Sequence, residues 1–177
     1  MEELQYHEQR DLKNKKKLQE LLAALPPFCA DFFRGIEPAT SSMTRLSYAY
    51  DISTFFDFLR KLKPELEKLS VENISLEQLC AVTIQDLERY LEYLKYRPDD
   101  PEHKNVNKEQ GIKRKFFSLK SFFGYFYRTG QIKTNPTLSM QVPKIREKEI
   151  IRLGIGDVTQ PLAKCVVTAM QDAAAEM

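Results

Sequence analysis

Apolar positions recur at steps of three and four along most of the chain, and strand-like alternation is nearly absent. That period belongs to helices, so the pattern predicts an all-α protein. The most regular seam lies between Lys108 and Pro136. Ile112, Phe116, Leu119, Phe123 and Phe126 follow at steps of four, three, four and three, so they share one helix face and are expected to bury it. The opposite face carries Gln110, Arg114, Phe117, Ser121 and Arg128, with Lys113 and Lys120 on its shoulder. Gly130 is expected to stop this helix, and Lys133–Thr137 to form an exit turn.

Earlier segments follow the same rule. A first helix runs from near the N-terminus through Lys15–Leu25, until Pro26 and Pro27 remove backbone donors and break it. A second stretch continues to Gly35, a plausible stop. Thr40, Ser41 or Ser42 can cap the next helix with a hydroxyl, and it extends to Pro64. Its core face is Tyr48, Ile52, Phe55, Phe56 and Leu59. After a looser stretch, Thr83 caps a helix whose stripe is Ile84, Leu87, Leu91 and Leu94, with Tyr90, Tyr93 and Tyr96 along a half-exposed edge. Residues 98–107 form a turn-rich polar loop. Residues 1–14 read as a polar extension, 15–142 as the helical domain, 143–156 as a linker and 157–177 as a short C-terminal helix with Val158, Leu162, Val166, Met170 and Ala173 in its stripe.

The chain has 177 residues, enough for one sizeable core, and a mean hydropathy of -0.45. No apolar run approaches the roughly 18 residues of a membrane span. The N-terminus lacks the apolar stretch of a signal peptide, so a cytoplasmic location is expected. Cys29, Cys80 and Cys165 are far apart and not in ligand spacing; they read as buried free thiols, with neither disulfide nor zinc. The net charge of +2 hides an asymmetry. Between Glu65 and Glu92, seven acids face only Lys68 and Arg89, whereas Lys108–Lys133 holds seven Lys/Arg and a single acid, Glu109. A packed aromatic seam with a cationic, hydroxyl-bearing outer face suits a phosphate surface.

Two segments resemble the N-terminal, core-binding domain of the tyrosine recombinase (phage integrase) family. In the first, Ser41–Leu59, the pattern is Thr44, Tyr48, Asp51, Ile52 and Phe55, with Ser41 or Ser42 upstream. In the second, Ile112–Thr137, it is Arg114, the Phe116–Lys120 run, the pair Phe122 and Phe123, and Asn135-Pro136. The resemblance covers about residues 15–153, and residues 143–153 look like the family's linker to a catalytic domain. Phe117 is a departure, standing where the family often has a small residue.

The resemblance implies a small orthogonal bundle of four to five helices (a SAM-like fold), here with an extra C-terminal helix. It implies half of a clamp around duplex DNA, bound together with other recombinase protomers. The DNA-contacting residues it implies are Thr44, Arg45 and Tyr48, then Lys113, Arg114, Ser118, Lys120 and Ser121. Phe117 is a further candidate contact on the same helix, or else a partly exposed aromatic. Lys and Arg would neutralise phosphates, and Arg can read guanine bidentately. Tyr48 also lies on the core stripe, and Lys115 sits near the buried seam, where its stem can pack while the amine reaches out.

The family cuts DNA with a tyrosine assisted by arginines, a lysine and a His-x-x-Arg unit. His7–Arg10 matches that string at a place where no arginine or lysine of the set can precede it in the family's order, and His103 has no such partner. The chain is therefore expected to be the non-catalytic arm of a recombinase. No Gly-rich phosphate loop, nucleophile elbow or metal-spaced cluster points to another enzyme, a cofactor, a metal or a small-molecule substrate. The alternative is a helical protein-interaction module without direct DNA contact.

Overall fold

The computed structural model describes residues 5–96 and 109–142, together with Thr168. The chain divides into two compact units, Met1–Ile145 and Arg146–Met177. The expected polar loop, the linker and, but for Thr168, the C-terminal helix lie outside the described residues, as does Cys165.

The first unit is all-α among the described residues. Its helices are α1 (Tyr6–Ala23), α2 (Cys29–Ile36), α3 (Ser42–Leu62), α4 (Pro64–Glu67), α5 (Leu76–Cys80), α6 (Ile84–Tyr96) and α7 (Glu109–Arg128), with 3-10 turns at Glu37–Ala39 and Val71–Asn73. The two shortest helices and the second 3-10 turn occupy the stretch expected to be loose. Ser75 and Gln78 bond each other's backbone to cap α5, and the stretch delivers Leu66, Ile74, Leu79 and Val82 to the core.

The central element is α3, packed against α1, α4, α6 and α7. Ser41 is its N-cap, accepting from the Thr44 amide at 3.2 Å. Ser42 is used differently. Its hydroxyl donates to Asp11 at 2.7 Å and accepts from Asn14 at 3.1 Å, and this stitches α1 to α3. Helix α1 starts at Tyr6, near the N-terminus as expected, so the polar residues 6–14 belong to it.

Aromatic rings fill the core. Phe28, Phe32, Phe56, Phe122 and Phe126 meet mostly edge to face, with centroids 5.0–6.5 Å apart. The seam of α7 is buried throughout, and Phe122 joins it. Tyr90 is also buried, against Phe55 and Phe58, rather than half-exposed. It lies three residues after Leu87 and four before Leu94, so it belongs to their stripe.

Two glycines have distinct reasons. Gly35 does not stop α2, which continues to Ile36; its bare Cα lets the Tyr125 ring pack where a side chain would stand. Gly130 has φ 72°, the left-handed conformation that an L side chain resists. There its amide donates to Tyr127 O at 3.1 Å and the Gln131 amide to Phe126 O at 2.9 Å, which closes α7 in a Schellman turn. Buried Ile132 follows, and Asn135 then accepts from the amide and hydroxyl of buried Thr137. Those contacts turn the chain so that Leu138 stands beside α7.

Of the cysteines, Cys29 is buried and Cys80 is exposed, and both are free. Burial pushes the Cys29 thiol far above its ordinary value, so it stays protonated. Among the described residues no helix is long and apolar enough to cross a membrane.

Candidate nucleic-acid interface

The α3–α7 junction is organised by Asp51. Its carboxylate is fully buried on α3 and faces three donors from α7. Arg114 Nη1 donates at 2.9 Å, Lys115 Nζ at 3.0 Å and Ser118 Oγ at 2.6 Å. A buried carboxylate is tolerable only when its lone pairs are satisfied, and three bonds, two of them from cations, meet that need. Arg114 and Lys115 differ in exposure: the Arg114 side chain is 48% accessible, that of Lys115 only 11%. One guanidinium edge is held inward, leaving the rest at the surface. Lys115 does not snorkel outward; its amine is spent on Asp51.

Beside this junction runs a shallow groove of about 400 Å³. It is lined by Tyr48 from α3, by Phe117, Lys120, Ser121, Gly124 and Arg128 from α7, and by Asn135 and Leu138 beyond it. Positions 113, 117, 120, 124 and 128 follow at helical spacing, so Phe117 lies between Lys113 and Lys120 on one face. Gly124 leaves room there; a methyl group on it would sit 3.3 Å from Arg128 Nη1. The Tyr48 ring stacks on Phe32 at 6.4 Å while also lining the groove, so it serves core and surface together.

The expected contact residues thus separate into two sets. Tyr48, Phe117, Lys120 and Ser121 meet in the groove, and Lys113 and Arg114 lie on the adjoining part of α7. Thr44 is half-buried, with its hydroxyl 2.9 Å from that of Ser41. Arg45 and Ser118 point inward instead. Arg45 donates to the carbonyls of Glu37 and Thr40 at 3.0 and 2.7 Å and pairs with the Glu37 carboxylate at 3.4 Å, which pins the turn before α3. Ser118 is buried, with its hydroxyl given to Asp51. Both side chains are occupied by the fold itself.

Sequence reasoning passed over Gly124 and Leu138, named Asn135 only in the exit motif, and left Arg128 out of the contact set although it lies on the outer face. Periodicity signals Gly124 and Arg128, at steps of four from Lys120. Nothing local signals Leu138, because the turn at Gly130 brings it back. His7 and Arg10 are exposed on α1.

The arrangement is an all-α bundle that presents a cationic, partly aromatic helix supported by the helix carrying Thr44, Tyr48 and Asp51. Comparison with known proteins agrees with the resemblance in those two helices. The chain is 28% identical over 150 residues to the tyrosine recombinase XerC of Caldanaerobacter subterraneus subsp. tengcongensis, a match covering 78% of this chain and 40% of that protein. It is 28% identical over 129 residues to the tyrosine recombinase XerD of Rickettsia bellii, covering 73% and 35%. The chain therefore spans about two fifths of the length of these curated relatives. A separate match of 31 residues, 18% of this chain, is 64% identical to 8% of an LL-diaminopimelate aminotransferase of Agathobacter rectalis. No family model and no solved structure matches the chain.

Proposed function

We propose that the first unit is the SAM-like core-binding domain of a tyrosine recombinase, which grips duplex DNA and carries out no strand cleavage by itself. The observation that carries this reading is the outer face of α7, which carries Lys113, Arg114, Lys120 and Arg128, the last two lining a groove shared with Tyr48. Cations spaced along one helix can neutralise successive phosphates and release their counterions. Thr44 and Ser121 add hydroxyls that position the backbone. The likeness to XerC and XerD over most of the chain supports the same reading. Other protomers on the same DNA would be its protein partners.

The test is a fluorescence-anisotropy titration of the full chain with random duplex DNA at low and moderate salt. Four engaged cations predict a slope of log affinity against log salt of about −3 to −4. A second reading, docking of another protein, is favoured by exposed Phe117 and Leu138 in the groove. No duplex binding at low salt would favour that reading and overturn the first.

A further inference from the structure

Of the chain's eleven phenylalanines, Phe117 alone is exposed; nine others are buried and Phe28 is half-buried. Its ring is 41% accessible and has one recorded aromatic neighbour, Phe116, at 6.0 Å. A core role does not account for it. Nor does phosphate binding, since a phenyl ring donates no hydrogen bond. Yet it stands between Lys113 and Lys120, and its groove continues to Leu138, which is 62% exposed. An apolar strip inside a cationic rim needs a ligand that is anionic at its edges and apolar at one point.

We propose that Phe117 reads thymine in duplex DNA through the 5-methyl group, with Leu138 extending the apolar contact. The inference rests on the reading of this face as a DNA surface. In the major groove, base edges offer hydrogen-bond donors and acceptors, and thymine alone adds a methyl group, which apolar side chains contact. The neighbouring cations suit the phosphates on either side of the groove. With Lys113 and Lys120 one turn away on each side, the ring is directed at the base edges between them. Gly124 adds no side chain to obstruct the approach. Phe117 is then a specificity residue, and its effect should be confined to particular base pairs.

The experiment uses the full chain. A preferred duplex is first selected from random sequence. Deoxyuridine then replaces thymidine at one position at a time, which removes the methyl group and leaves base pairing intact. The expected result is a loss of affinity of about three- to ten-fold at one or two positions, as for one buried methyl group. Phe117→Ala should bind the thymidine duplex more weakly and show no further loss with deoxyuridine at those positions. Phe117 is exposed, so this variant should keep the thermal midpoint of the parent, which circular dichroism checks. Duplex binding indifferent to deoxyuridine everywhere would overturn the thymine contact and leave DNA binding standing. An equal deoxyuridine penalty in Phe117→Ala would assign the methyl contact to another residue and also overturn it. Absence of duplex binding at low salt would overturn both readings.

Discussion

Asp51, Arg114, Lys115 and Ser118 form one network, but its members do not carry equal weight. Lys115 and Asp51 are both buried, so removing the carboxylate strands an ammonium among apolar neighbours. Asp51→Ala is expected to cost about 3–5 kcal/mol of folding stability, measured by urea denaturation, because a buried charge loses its partner. A loss below about 1 kcal/mol would mean that water reaches Lys115. Arg114 is half-exposed, and its pair with Asp51 is screened by solvent. Arg114→Ala should therefore change stability by no more than about 1 kcal/mol. If Arg114 reads a base, the same variant should weaken binding to a preferred duplex by about 1–3 kcal/mol. Opposite signatures in stability and binding would separate the support from the surface. The inward turn of Ser118 and Lys115 was not legible in the sequence. Each lies at the margin of the α7 seam, and only Asp51, 67 and 64 residues away, draws it inside.

The start of α6 shows how one acid can serve a helix end and a helix junction together. Asp86 Oδ2 accepts from the Thr83 amide at 2.9 Å, and the Asp86 amide donates to the Thr83 hydroxyl at 3.3 Å. Lys63, at the end of α3, pairs with Asp86 at 3.2 Å and donates to Ala81 O at 3.1 Å. Burial pushes the Asp86 carboxyl up, but the Thr83 amide, Lys63 and the Thr83 hydroxyl together hold it below its ordinary 3.8. A lowered folded value means the stabilisation is complete above pH 3.8 and is lost as pH falls through the folded value. Asp86→Ala should cost about 1–2 kcal/mol near pH 6, and the gap from the parent should narrow progressively below about pH 4. A gap that stays constant down to pH 2.5 would show that the carboxylate charge contributes nothing. At this scale the sequence was informative where spacing decides the outcome. The α7 seam, the Thr83 cap and the Gly130 stop all follow from local residue chemistry. Gly35 did not, because the Tyr125 ring that requires it lies 90 residues further along the chain.

Across the whole molecule, acids and bases are distributed to different surfaces of one bundle. The exposed acids Glu65, Glu67, Glu72, Glu77, Glu88 and Glu92 lie on the segment from α4 to α6, while Lys113, Arg114, Lys120 and Arg128 lie on α7. A net charge of +2 conceals this, so the sequence announced the cationic face only through local runs. The fold class was legible because helical periodicity persists across α1 to α7. The groove was only half legible, because it needs α3, α7 and the segment after Gly130 to converge. Every residue that lines it lies within Met1–Ile145. A chain ending at Ile145 should therefore bind random duplex DNA with an affinity within about two-fold of the full chain and with the same salt slope, since the same phosphate contacts remain. Its thermal midpoint should match that of Met1–Ile145 within the full chain. A drop in affinity with an unchanged salt slope would mean that Arg146–Met177 adds apolar or protein-mediated contacts. A shallower slope would mean that it supplies cations to the DNA, and either result would show that the groove is not the whole binding surface.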